Sequence, residues 1–294
     1  MIRPRRPDQR LLRSITDAGL PAPQGSVEVT ALRQVSRAVP TAAVVEGRFT
    51  PWRITNSLTS FVVEHPKARF IVDPSICMDV EQRTIAQLPA VLRMAVRPPA
   101  GAIATVEALR ELPGPPPLDF ALPTHAHWDH VCGLLDLRGL PVHLHRPEHE
   151  WISGGPVAPT GGVRDALRDR PIVEFELDGP PIPTFTRSHD LFGDSTVLLV
   201  DLAGHTPGSI GVLAHTERGW ILLAGEPRGT PSRSTRFAKR QATQDHCWTR
   251  TATAPSKPCT GSTSPATSHG SSPPTTTRRL TGSWLRLRSE THRS

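Results

Sequence analysis

The chain has 294 residues and a formal net charge of +7, with 37% hydrophobic and 5% aromatic residues and no Tyr. That length suffices for one large buried core or one domain with tails, and the absence of any run of 18 apolar residues gives no indication of a membrane span. Basicity would point to an anionic partner, but it is concentrated at one end: eleven basic residues from Pro231 onward face only Asp245 and Glu290, which leaves the first 230 residues close to neutral.

The N-terminal residues 1–26 form an extension with one helical signal, Asp8 to Ala18, ended by Pro21 and Pro23. The basic start Met1-Ile2-Arg3-Pro4-Arg5-Arg6 leads into no apolar core, so no secretory signal is expected. The four cysteines, Cys77, Cys132, Cys247 and Cys259, show neither CxxC spacing nor a small-domain framework, which suits a reducing cytoplasm. A domain is expected over 27–230. It begins with short β-prone pieces, Val27-Glu28-Val29 and Ala42 to Val45, and then a stronger pair, Ser60 to Glu64 and Arg69 to Val72, joined by a hairpin turn at His65-Pro66-Lys67-Ala68. Asp73 follows at an Asp-Pro break, where it starts a turn. Helices are expected over Val80 to Val96 and Ile103 to Leu112, stopped by Gly114 and the prolines after it.

An apolar run, Leu118 to Pro123, then delivers Thr124-His125-Ala126-His127-Trp128-Asp129-His130. Residues two apart on an extended segment point the same way, so His125 and His127 reach one cation. The bend after Trp128 turns Asp129 and His130 to a neighbouring point. Two metals about 3.5–4 Å apart suit such an arrangement. Val131 to Leu137 reads as a helix behind the loop, with Cys132 a buried small residue, and Trp128 is expected to line a pocket wall. A strand at Val142 to His145 and a helix from Pro147 to Trp151 come next. His143, His145 and His149 have no carboxylate or Cys at a ligand offset and are not read as a second metal site. Ser153 to Gly162 is a loop, Ile172 to Leu177 an edge strand, and Thr196 to Leu202 a strand feeding Gly204-His205-Thr206-Pro207-Gly208-Ser209, a tight turn that projects His205. Ile210 to Ala214 and Trp220 to Ala224 complete the strands.

His125-x-His127-x-Asp129-His130 followed by Gly204-His205-Thr206-Pro207-Gly208-Ser209 resembles the metallo-β-lactamase fold superfamily of metallohydrolases, in its lactonase- and glyoxalase II-like branch, over about Ala42 to Glu226. The resemblance implies an α/β (α+β) fold, a four-layer αββα sandwich with metals at one edge of its sheets. His125, His127 and His205 would hold the first metal, Asp129 and His130 the second. An Asp is expected to bridge both after the strand Ile221 to Ala224, and this chain offers Glu226 there, one methylene longer. The implied cofactor is Zn2+, one or two ions, with iron or manganese as alternatives. A metal-bound hydroxide would attack an ester, lactone or thioester of a small molecule, with Asp129 orienting it and moving its proton. The lactonases of this branch use a pocket Tyr, which this chain lacks. A basic glutathione site and the inserted domain of the RNA-processing branch are also missing.

The pattern breaks after Glu226. Residues 231–294 hold no Val or Ile, three Leu, eleven Ser and thirteen Thr, a composition that cannot offset the entropy of ordering and reads as a disordered basic tail. The resemblance also implies a closing helix, a strand and a last His. His246, His269 and His292 are the histidines available, His269 at a reasonable distance past Glu226 but with no apolar strand leading into it, so the C-terminal part of the fold is expected to be incomplete. A shift of reading frame shortly after Glu226 accounts for the abruptness; a strand and a final His in another frame of the gene would support it, and stop codons in both would refute it. Two further readings stand beside hydrolysis: an impaired family remnant without the second metal, and a nucleic-acid binder acting through its tail, with salt-sensitive affinity.

Overall fold

The computed structural model describes residues 19–44, 49–90, 93–94, 97–98, 101–114, 117–154, 161–183, 185–225 and 284–286. Alternation of side chains along the strands decides how they stack. In Arg53–His65 (β2), Ala68–Val72 (β3) and Phe120–Leu122 (β4), residues Val63, Phe70, Val72, Phe120 and Leu122 enter one apolar cluster, while Val62, Ile71 and Ala121 enter another on the opposite face. Period-two alternation sends neighbours to opposite faces, and both faces here are apolar, as in a central sheet buried on each side.

That sheet has seven strands. Glu28–Pro40 (β1) pairs antiparallel with β2, and β2 with β3 through the Pro66-Lys67 hairpin. From β3 the order continues in parallel through β4, Val142–His145 (β5) and Ile172–Phe175 (β6) at the edge. Trp284–Arg286 (β11) pairs with β1 at the other edge. A second, four-stranded antiparallel sheet follows the chain backwards from Gly219–Leu223 (β10) through Ile210–Thr216 (β9) and Val197–Asp201 (β8) to Ser188–Asp190 (β7). Val197, Leu199, Ile210, Val212, Ala214 and Leu223 of this sheet meet Val29, Val63, Phe70 and Phe120 of the first; Phe70 and Phe120 stack with centroids 4.8 Å apart. The core is therefore the interface between two sheets.

Short helices cover the outer face of the first sheet. Thr105–Arg110 (α3), Trp128–Val131 (α4), Arg146–Gly154 (α5) and Val163–Leu167 (α6) contribute Ala108, Val131, Ile152, Val163 and Ala166 to the second cluster. Arg170 caps a 3-10 turn there, Cys132–Leu135, by donating to the carbonyls of Leu134, Leu137 and Leu140. On the outer face of the second sheet Ile182 and Phe185 pack on Leu198, Val200 and Leu213, joined by Leu20 from the N-terminal segment. The described residues thus build three layers, αββ, of the αββα sandwich; no helix among them covers the second sheet.

Several sequence expectations change. Ala42 to Val44 is not a strand: Thr41–Val44 (α1) is a single helical turn, held by Thr41 N–H donating to Trp52 O at 3.0 Å, and Val45 lies outside the described residues. The helix expected over Val80 to Val96 is broken rather than continuous: Val80–Arg83 (α2) and a 3-10 turn at Ile85–Gln87 end where Leu88 takes an extended backbone before Pro89, which disfavours the helical region for its predecessor. Helical backbone is described again at Ala90, Arg93 and Met94, with Arg93 N–H donating to Pro89 O at 3.0 Å. β1 runs to 13 residues, far past Val29. Its polar Gln34 is satisfied inside by Ser60 and Thr105, and Ser36 hydrogen-bonds Ser57 across the pair. β7 and α6 have no clear sequence signal. The helix expected over Asp8 to Ala18, Glu226 and His269 lie outside the described residues, as does the tail apart from β11.

Candidate metal centre

β4 ends at Leu122 on the edge shared by both sheets, and the loop it delivers is pinned from three sides. Thr124 N–H and hydroxyl donate to the two carboxylate oxygens of Asp73, at 2.6 and 2.9 Å. Thr124 O accepts from Ile210 N–H of β9 at 2.8 Å, and Ala126 N–H donates to Glu148 Oε1 at 2.7 Å. His125 is buried; His127, at the start of α4, is half-buried. Their nitrogens Nε2 and Nδ1 stand 3.0 Å apart.

The third imidazole arrives from the other sheet. After β8, Gly204 takes φ +146°, a backbone that favours glycine, and the turn closes through Leu202 N–H to Ser209 O and the Thr206 and Ser209 hydroxyls 2.6 Å apart. His205 then faces the first two, its ring centroid 4.6 Å from His125 and 4.5 Å from His127. One ligand atom from each of His125, His127 and His205 lies within 4.8 Å of the others. Two nitrogens on a common tetrahedral zinc, each about 2.0–2.1 Å from it, stand roughly 3.3 Å apart, so small inward rotations bring all three to one ion. Burial, followed by the neighbouring imidazoles, holds His125 well below the usual histidine range, and a neutral imidazole is the form that binds a metal. The donor set fits a divalent cation.

His130 is buried one turn along α4, its ring centroid 4.0 Å from that of His125. Its Nδ1 sits 2.9 Å from Asp73 Oδ2, and Asp73 takes φ +50°. Asp129 is half-buried on the same helix and is not drawn into the three-histidine group. Gly225, at φ +57° and two residues past β10, lies so close to the loop that a Cβ there would be 2.2 Å from Thr124 Oγ1 and 3.5 Å from His125 Nδ1. The residue after it, Glu226, lies outside the described residues.

Sequence reasoning misses two groups. Glu148 is 1% exposed, and its carboxylate accepts from Ala126 N–H, Thr206 hydroxyl and Gly208 N–H; burial pushes its pKa up against those hydrogen bonds. His145, not read as a ligand, hydrogen-bonds Gly208 O through Nδ1 at 3.1 Å. Only the position of both at a strand-to-helix junction hints at them. Trp128 is half-buried against the helical layer, and Trp151 stands beside His127, edge to face at 5.8 Å.

The sequence profile described as the metallo-beta-lactamase superfamily matches residues 55–233. The N-acyl homoserine lactonase AttM of Azorhizobium caulinodans is 25% identical over 174 residues, 55% of this chain and 61% of that protein, so the match spans about six tenths of the relative's length. Among solved structures, a quorum-quenching N-acyl homoserine lactone lactonase superposes with a TM-score of 0.54 at 13% identity, covering 78% of this chain and 90% of the other. An N-acyl homoserine lactone hydrolase with its product N-hexanoyl-L-homoserine at the catalytic metal centre gives 0.55 at 12%, covering 77% and 90%. A probable metal-dependent hydrolase from Staphylococcus aureus gives 0.51 at 14%, covering 75% and 84%.

Proposed function

Because the chain belongs to the metallo-β-lactamase superfamily, we propose that it is a metal-dependent hydrolase opening small lactones or related esters, and that His125, His127 and His205 hold its first cation. The observation that carries this is the convergence of those three imidazoles, from two different sheets, within 4.8 Å. Zinc is the first choice for an all-imidazole set. The bound cation supplies Lewis acidity, which activates water and polarises the attacked carbonyl. Asp129 accepts the proton of the attacking water and returns it to the leaving alkoxide, so that water and a lactone give a hydroxy acid. His130, Asp129 and Glu226 are the groups we assign to a second cation. The closeness of Gly225 to Thr124 supports the Glu226 assignment. The relatives that act on N-acyl homoserine lactones make these the first substrates to try, although the chain has no Tyr.

Among the described residues no helix is long and apolar enough to cross a membrane, and Cys77 and Cys132 are free thiols; both support a reducing cytoplasmic setting. A second reading, a chain with only its first cation site, is favoured by one observation: among the described residues only three ligand-type side chains converge. The test is metal content by elemental mass spectrometry with hydrolysis of N-hexanoyl-homoserine lactone followed by acid release. Two equivalents with activity abolished by His127→Ala support the binuclear hydrolase. One equivalent without turnover supports the second reading, and no cation with no turnover refutes both.

A further inference from the structure

The two loops that supply the three imidazoles come from different sheets, so their spacing is set by tertiary contacts. One side chain touches both. Glu148 Oε1 accepts from the peptide between His125 and His127, Ala126 N–H, at 2.7 Å. Its Oε2 accepts from Thr206 hydroxyl at 2.7 Å and Gly208 N–H at 2.9 Å, in the loop of His205. The carboxylate is buried, so solvent does not replace these partners. The same strand-helix junction grips Gly208 a second time through His145 Nδ1 on its carbonyl, and Gly208 lies so near Glu148 that a Cβ there would be 2.3 Å from Glu148 N.

We propose that Glu148 is a positioning residue that sets the separation of His205 from His125 and His127, and with it the affinity and geometry of the cation site. This rests on the reading of those histidines as ligands. A carboxylate suits this position because it is acceptor-only, and the three groups facing it are all donors. A buried carboxylate with three hydrogen bonds is also costly to leave half-satisfied, so the pair of loops moves together or not at all. Glutamine in its place would turn an NH2 group toward a peptide N–H or a hydroxyl and push one loop away.

The experiment is a Co2+ titration of the metal-free full chain, read by visible absorption, which reports both affinity and coordination geometry. The variants are Glu148→Gln, Glu148→Asp and Thr206→Val, with Arg170→Met as a destabilised control whose hydrogen bonds go to Leu134, Leu137 and Leu140 and to neither loop. Wild type is expected to bind, Glu148→Gln to bind about 10–100-fold more weakly with an altered band pattern, and Glu148→Asp to recover part of both. Thr206→Val, which removes one of the three bonds and keeps the carboxylate, is expected to lose up to about tenfold and decides the matter if Glu148→Gln does not fold. Arg170→Met is expected to keep wild-type affinity and bands. The proposal is overturned if wild type binds and both Glu148→Gln and Thr206→Val match it, or if Arg170→Met loses as much affinity as they do. Failure of the wild type itself to bind Co2+ overturns the ligand reading, and the proposal with it.

Discussion

Gly208→Ala isolates the packing of the two loops from their charge. The added methyl would sit 2.3 Å from Glu148 N, 2.5 Å from its Cβ and 2.7 Å from its Cα, against backbone that cannot swing aside. Ordinary carbon contacts lie at about 3.5–4.0 Å, so the turn must retreat by roughly 1 Å. If it stays, overpacking costs about 1–3 kcal/mol. If it retreats, it stretches the Gly208 N–H bond to a carboxylate, worth about 1.5–3 kcal/mol, and the imidazole bond to its carbonyl, worth about 0.5–1.5 kcal/mol. The first route costs about 1–3 kcal/mol and the second about 2–4.5 kcal/mol, so Tm should fall by about 2–18 °C for a domain of this size. Urea unfolding of metal-free protein measures it, with Gly154→Ala as control: that position has nothing within 4 Å and no positive φ, and its cost should stay within about 0.5 kcal/mol. A Gly208→Ala variant as stable as Gly154→Ala would refute the reasoning.

Saturating zinc at about 100 times its Kd should raise unfolding free energy by about 2.7 kcal/mol, and His205→Ala should remove most of that gain; an equal gain in the variant counts against His205 as a ligand. Burial lowers the pKa of His143, which stacks on Phe120 at 4.0 Å. An imidazole with a folded pKa below its unfolded value of about 6.5 is neutral in both states above that pH and protonates first in the unfolded chain as pH falls. Stability should therefore decline below about pH 6.5, and His143→Phe should flatten part of that decline in urea midpoints. Arg170→Met should cost about 2–4 kcal/mol by stripping donors from three carbonyls, seen as a lower urea midpoint; a loss below about 1 kcal/mol would show the carbonyls satisfied otherwise.

Features that repeat locally are the ones legible in the sequence. β5 is legible to the residue from the alternation in Val142-His143-Leu144-His145, and the turn around His205 from Gly204 and its neighbours. His125 and His127 stand out because period two is a property of any extended chain. Glu148 does not, since its three partners lie 22, 58 and 60 residues away and nothing in Pro147-Glu148-His149 marks a buried carboxylate. β1 is under-read because its interior is polar: Gln34 looks solvent-facing until Ser60 and Thr105 are seen around it. Val44 has strand propensity, yet it lies in the helical turn that follows β1, and tertiary context overrides a weak local preference.

The three imidazoles are shared between the sheets, two from the first and one from the second. Pulling the sandwich apart at that edge would therefore separate the ligands, and a cation bridging them acts as a clasp on the whole interface. Chelation should then loosen Leu199, Val212 and Phe120 as much as the histidines, visible as faster amide exchange deep in both sheets, and cation affinity becomes a gauge of how firmly one sheet holds the other.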